Sequence, residues 1–192
     1  MDIAGAFIAR SRYYLISEYP TKIQRCLDVF PGESLWVRDD ASENSVGNLL
    51  LHLSGNARQW IVAGVGGADD ARERQAEFDA GTARAGGAVA SPPPGAVASS
   101  PPGAAELLAR LRVTLAEVDA VLARLEPRAL LERRRIQGLD DVVVLDAVFH
   151  VVEHFSMHTG QIIMLTKMIT AGGLNFYDFS AGAPRHNWQK SD

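Results

Sequence analysis

The stretch "FHVVEHFSMHTGQIIML", residues 149–165, places three histidines four residues apart in a strongly apolar run. They are His150, His154 and His158, and the whole chain contains only five histidines. Residues four apart lie on one face of a helix, with roughly 6 Å between their Cβ atoms. The apolar neighbours require burial, so each imidazole needs a partner for its ring nitrogens. A metal ion is one such partner, and exposure of the histidine ridge to solvent is the main alternative.

A second polar line crosses the apolar segment "SVGNLLLHLSGNARQW", residues 45–60. Asn48, His52 and Asn56 follow the same spacing of four, with Gln59 one step further, among several leucines. If this line faces the histidine ridge, His52 completes a three-imidazole site for a divalent ion. Such a site leaves one coordination position open for water or substrate. For the amide side chains, hydrogen bonding between helices is the simpler interpretation.

Helix geometry limits which histidines can share one ion. His150 and His158 lie two turns apart, about 12 Å along the axis. Ligating nitrogens must converge to about 2.1 Å from one metal, so these two cannot both bind it. His154 is therefore the common member, and the spacing leaves its partner open between His150 and His158.

Working outward from these two segments, the apolar periodicity predicts an all-α four-helix bundle. The predicted helices cover residues 3–30, 46–65, 104–125 and 142–170. Pro20 is expected to kink or interrupt the first helix, because proline has no backbone N–H. Asn44 or Ser45 is expected to cap the second helix, and Asp140 or Asp141 the fourth. Gly172 and Gly173 are expected to close the fourth helix.

Three connecting segments have their own signals. Residues 81–105 are nearly all Gly, Ala, Ser and Pro, which predicts a long flexible loop, either a lid or a disordered insertion. "LLERRRIQG", residues 130–138, predicts a brief strand or a segment across the bundle, and "VVVL", residues 142–145, also fits a strand. Arg72, Glu73 and Arg74 are most simply a solvated charged run.

The composition indicates one soluble domain spanning residues 1–192, with 47% hydrophobic and 22% charged residues. A net charge of −4 disfavours nucleic acid and anionic membranes as partners, and leaves small molecules and proteins. The sequence shows neither a secretory signal nor an apolar run of roughly 18 to 20 residues. Cys26 is the single cysteine, which excludes an intramolecular disulfide and fits a cytoplasmic location.

"HLSGN" (residues 52–56) together with "EHFSMHTGQI" (residues 153–162) resembles the DinB/YfiT-like superfamily of metal-dependent four-helix-bundle proteins. The segment "RERQAEFD", residues 72–79, resembles a bacterial branch of unknown function within it. The superfamily triad has one histidine on the second helix and two on the last, shortly before a Gly-Gln pair. The resemblance therefore implies that His52, His154 and His158 hold the metal. The insertion at residues 81–105 departs from the family pattern.

The resemblance implies supporting roles for four further residues. His150 and Asn56 become pocket or supporting residues, and Asn48 and Gln161 become candidates for orienting the imidazoles.

The resemblance also implies an activity and cofactors. Members of the superfamily with assigned activities are low-molecular-weight thiol transferases and a thiol-dependent isomerase. A divalent transition metal, zinc or nickel, with a low-molecular-weight thiol cosubstrate and a small electrophile is thus expected, as is a homodimer. The alternative is a non-catalytic metal-binding or stress-associated helical bundle protein. A di-iron carboxylate enzyme is disfavoured because the fourth helix has no Glu-x-x-His pair.

Overall fold

Four long helices run through the described part of the chain and form a bundle. The computed structural model describes residues 2–40, 42–85, 88–89, 101–171 and 174–187. The long helices are α1 (residues 3–29), α2 (46–65), α4 (Ala104–Arg124) and α5 (Val144–Thr170), and a short α3 (Arg74–Asp79) follows α2. The predicted all-α four-helix bundle is confirmed. No described helix has the length and apolarity to cross a membrane.

The first helix changes its hydrogen-bonding pattern where the sequence predicts a disturbance. Within α1, the α-helical Ile3–Arg12 and Tyr19–Val29 flank a π-helical stretch, Tyr13–Glu18. Pro20 is the second residue after this stretch and has no N–H to donate. The missing bond is accommodated by the wider π turns rather than by a break in the helix.

The second helix begins with a reciprocal cap at Ser45. The Ser45 hydroxyl accepts a hydrogen bond from the backbone N–H of Asn48, and the Asn48 side chain accepts one from the Ser45 N–H. Two N–H groups at the helix start are thereby satisfied. The α-helical part, Val46–Ala57, continues into a π-helical part, Arg58–Val65. The helix thus has the bounds that the sequence predicts.

A β-hairpin precedes the last helix and corrects its predicted start. β4 (Arg133–Ile136) pairs antiparallel with β5 (Leu139–Val143) around a turn at Gln137 and Gly138, both with positive φ. The strand interpretation of the arginine-rich segment is therefore right. The helix starts at Val144 rather than at Val142, and neither Asp140 nor Asp141 caps it. The β-branched valines instead pair with the arginine strand.

Short strands also occupy the start of the predicted flexible loop. β1 (Val37–Arg38) pairs parallel with β2 (Thr82–Ala85), which pairs antiparallel with β3 (Ala88–Val89). These short strands lie within the connection that the sequence predicts as a long loop, and they were not predicted because their pairing depends on β1, far away in sequence. The prediction for 86–87 and 90–100 falls outside the described residues, as does the predicted closure by Gly172 and Gly173. Near the C-terminal end, β6 (Tyr177–Asp178) pairs with β7 (Arg185–His186).

The core lies between the helices, and α2 packs against both α4 and α5. Its largest fully buried side chains come from all four long helices and two connecting segments: Leu15, Ile23, Leu35, Leu49, Leu50, Leu53, Ile61, Leu107, Leu111, Leu122, Ile136 and Phe155. Burial of aliphatic side chains of this size contributes about 1.5 to 3 kcal/mol each. Because α2 and α5 are neighbours, their polar lines are held face to face inside this apolar surround.

Candidate metal centre

Three imidazoles meet where α2 faces α5. His52, His154 and His158 each offer a ring nitrogen, and these three atoms lie within 4.8 Å of one another. The ring centroids are 4.8 Å apart for His52 and His154, 5.2 Å for His52 and His158, and 4.4 Å for His154 and His158. Tetrahedral ligands about 2.1 Å from zinc are about 3.4 Å from each other. Binding one ion would therefore draw the three nitrogens closer together than the 4.8 Å limit.

Two of these imidazoles carry buried nitrogen atoms that have no hydrogen-bond partner among the described residues. They are Nε2 of His154 and Nε2 of His158. A buried polar atom left unpaired costs about 1 to 3 kcal/mol, so such atoms are rare in folded proteins. Two such nitrogen atoms in one cluster indicate that a bound group pairs with both. An imidazole nitrogen with a free lone pair is a good ligand for a divalent transition metal.

The protein environment favours the neutral form of His154 and His158. Burial, together with the neighbouring His158, His52, His150 and Arg72, lowers the pKa of His154 to about 3. Burial also lowers the pKa of His158, although its hydrogen bond to Gln161 acts in the opposite direction. Metal binding requires the neutral imidazole, so at pH 7 His154 has no proton to lose before it binds.

The lowered pKa of His154 predicts how the stability of the metal-free protein depends on pH. The folded-state pKa lies below the unfolded value of about 6.5, so protonation favours unfolding below that pH. The stabilisation is present above pH about 6.5 and is lost as the pH falls, by at most about 2 kcal/mol from His154 between pH 6.5 and 5. Urea unfolding at several pH values measures this slope, and His154→Gln should reduce it. An unfolding free energy equal at pH 7.5 and pH 5 would contradict a buried neutral His154.

A buried ion pair supports His52 from the side opposite the cluster. Nδ1 of His52 lies 2.9 Å from Oε2 of Glu77, a residue of α3. Arg72 binds both oxygens of the same carboxylate, with Nε 2.8 Å from Oε1 and Nη2 2.8 Å from Oε2. The Arg72 side chain is only 5% exposed, so the interpretation of residues 72–74 as a solvated run is wrong for Arg72.

This ion pair selects the tautomer of His52. Burial raises the pKa of Glu77, but hydrogen bonds from Arg72 and His52 and the charge of Arg72 outweigh it, so the pKa is lowered. The ionised carboxylate can only accept a hydrogen bond, and Nδ1–H of His52 therefore donates to it. Nη2 of Arg72 also lies 3.1 Å from Nδ1, but it donates to Oε2 of Glu77 at the shorter distance of 2.8 Å. Nε2 then keeps its lone pair for a metal. Both Glu77 oxygens are occupied, so this carboxylate serves as a support rather than as a ligand.

The segment carrying Glu77 is fixed to α2 at two points. Nδ2 of Asn48 donates to the carbonyl oxygens of Glu77 at 2.8 Å and Ala80 at 2.7 Å. Gly55 lies beneath the ion pair, where a Cβ atom would overlap Oε1 of Glu77. The described hydrogen bonds of the Asn48 side chain go to Ser45 and to residues 77–80, not to an imidazole. Its influence on the cluster is therefore indirect.

The structure places the other sequence-predicted residues around the cluster. Oε1 of Gln161 lies 2.6 Å from Nδ1 of His158, so it accepts Nδ1–H and leaves Nε2 for a ligand. His150 is one turn away from the triad, with its ring centroid 5.3 Å from that of His154. Nδ2 of Asn56 lies 3.2 Å from Nε2 of His150. Gln59 accepts a hydrogen bond from Nη1 of Arg72 and so belongs to the support of the ion pair.

The sequence of the chain also matches a protein-family model. A model of the DinB superfamily matches residues 18–162, which include α2, α3, α4 and the histidine-bearing part of α5. The chain belongs to the DinB superfamily. The comparison with curated proteins finds no match to this chain. In this DinB-superfamily chain, the three-histidine cluster could hold a metal ion.

Proposed function

We propose that this DinB-superfamily chain is a metal-dependent enzyme that transfers a low-molecular-weight thiol to a small electrophile. The supporting observation is the set of three imidazoles, His52, His154 and His158, whose ligand atoms lie within 4.8 Å of one another. Across the described residues, the cluster includes no fourth histidine, cysteine or carboxylate. A tetrahedral ion in this cluster therefore has one position for an external ligand, as in catalytic rather than structural sites.

The chain's own residues would hold, orient and dehydrate the centre. His52 and His158 are buried, and His154 is partly buried, so water has limited access to the cluster. Glu77 and Gln161 each accept Nδ1–H from an imidazole, which directs the opposite nitrogen toward the ion. A bound zinc or nickel ion would supply one thing, the stabilisation of a thiolate over the thiol near neutral pH.

The nucleophile in this proposal comes from a cosubstrate. The chain has a single cysteine, Cys26, and burial raises its pKa to about 11. A buried thiol with so high a pKa is a poor nucleophile at neutral pH. A small thiol would bring the sulfur and lose its proton to solvent. The thiolate would then form a bond to an electrophilic carbon, and the bond from that carbon to a leaving group would break, with the leaving group departing with the bonding electron pair. The thiol transferases and thiol-dependent isomerase of the superfamily agree with this assignment.

The decisive experiment measures thiol consumption with and without metal. We expect protein loaded with zinc or nickel to consume thiol with at least one member of a broad panel of electrophiles. Metal-free protein and the His154→Ala variant should not consume thiol. His186→Ala, which changes a histidine in β7 outside the cluster, is the matched control and should retain turnover. Metal binding that raises the melting temperature without turnover on any electrophile would contradict the enzyme and favour a non-catalytic metal-binding bundle.

A further inference from the structure

A second group of buried polar side chains lies one helical turn from the triad. Asn56 and Trp60 follow His52 along α2, and both meet His150 of α5. The Trp60 and His150 ring centroids are 4.1 Å apart, with an angle of 38° between the planes. Nδ2 of Asn56 is 3.2 Å from Nε2 of the same histidine. The two polar lines thus continue past the metal cluster into a second layer.

This second layer contains two polar atoms that no described residue satisfies. They are Oδ1 of Asn56 and Nε1 of Trp60. Asn56 is 3% exposed and Trp60 is 8% exposed, so these groups are built into the interior. Buried polar atoms without partners are uncommon, and two against one imidazole indicate that a ligand completes their hydrogen bonds.

The donors and acceptors of the layer define the ligand chemistry. An indole Nε1–H only donates, so Trp60 requires an acceptor. The oxygen and nitrogen of an asparagine amide are assigned from their partners and can be exchanged by a flip. With Nε2–H of His150 donating to Oδ1 of Asn56, the Asn56 NH₂ becomes a second free donor beside Trp60. Two donors beside the paired Trp60 and His150 rings suit a carbonyl-type oxygen, in an amide or a carboxylate.

We propose that Asn56, Trp60 and His150 form a subsite for a carbonyl-type oxygen of a ligand whose other end reaches the metal cluster. Asn56 lies one turn, about 6 Å, along α2 from His52. A short thiol carrying an amide or carboxylate spans this distance with its sulfur at the triad. The inference rests on the proposed function and narrows its thiol to one with such an oxygen near the sulfur.

Matched probes on cobalt-loaded protein test the subsite. 3-Mercaptopropionamide carries the oxygen, and 1-butanethiol has a similar length without it. The dissociation constants follow from the thiolate-to-cobalt absorption band. We expect wild type to bind the amide about 10-fold more tightly, the effect of one good hydrogen bond. Adding 3-mercaptopropionate then shows whether a carboxylate or an amide is preferred.

The test variant is Trp60→Phe, which removes Nε1–H and keeps an aromatic ring beside His150. We expect the preference for the amide to fall to within about 2-fold, with cobalt binding retained. The matched control is Trp36→Phe, because the Trp36 indole donates to the carbonyl of Pro102, away from the cluster. It should retain the full preference.

With cobalt bound, two results overturn the subsite. The first is equal affinity of the wild type for both probes. The second is an unchanged preference for the amide in Trp60→Phe. Neither result contradicts the proposed metal-dependent function. If cobalt does not bind at all, the proposed function fails, and metal-free protein decides the subsite separately. In the metal-free protein, a saturable shift of the Trp60 indole N–H resonance on adding propionamide supports the subsite. No shift at saturating concentration overturns it.

Discussion

His154→Ala is expected to reduce metal affinity by more than about 100-fold, so that the purified variant contains little or no metal. Loss of a group that merely orients a ligand already costs about 10 to 100-fold, and loss of a ligand costs more. His154 is the member that belongs to the site under either pairing of the histidine ridge. Its Nε2 is buried and has no partner among the described residues. Elemental analysis and competition with a chromophoric chelator measure the effect.

His150→Ala is the matched control for this prediction. His150 lies on the same ridge and has a lowered pKa from burial, but it stands one turn away from the triad. We expect nearly full metal content in this variant. Loss of metal in His150→Ala together with retention in His158→Ala would show that the ion uses the other pairing. Full metal content in His154→Ala would exclude the three-histidine centre.

Glu77→Ala is expected to lower the free energy of unfolding by about 3 to 5 kcal/mol, even without metal. The change leaves the Arg72 guanidinium, with a side chain 5% exposed, in the interior without its carboxylate. It also removes the acceptor of Nδ1–H of His52. For a domain of this size, the melting temperature should fall by about 10 °C. Thermal and urea unfolding of the metal-free protein measure both quantities.

Two further variants separate the buried ion pair from general surface effects. Glu73→Ala changes a neighbouring exposed carboxylate and should cost less than about 0.5 kcal/mol. Replacing Arg72 and Glu77 together removes both charges, so the double variant should be more stable than the sum of the single losses predicts. Strictly additive losses would show that the two side chains contribute independently.

The helices and the histidine cluster could be predicted from the sequence because their signals are local or periodic. Asn48, His52 and Asn56 repeat every four residues, as the histidines do, and this repeat defines the facing polar lines without any structure. The choice of His158 over His150 came from the resemblance. Spacing alone could not make it, because it depends on how α2 crosses α5.

The ion pair of Arg72 and Glu77 could not be predicted in this way. Arg72 precedes α3 and Glu77 lies five residues later, which is not a helical spacing, so no periodicity connects them. Their contact with His52 arises only because the chain folds back over Gly55. The short strands were missed, or left ambiguous, for a related reason: Val142 and Val143 favour a strand only when the arginine strand lies beside them.

The single amide of Asn48 makes the start of α2 and the segment below His52 one cooperative unit. Its bonds to Ser45 hold the helix start, and its bonds to the carbonyls of residues 77–80 hold the segment. Local opening of that segment would release Glu77 and let the His52 ring turn. An ion that requires the fixed ring therefore also holds the segment closed, by thermodynamic linkage. Metal binding should therefore slow the hydrogen exchange of backbone amides at the start of α2, although these amides do not contact the metal.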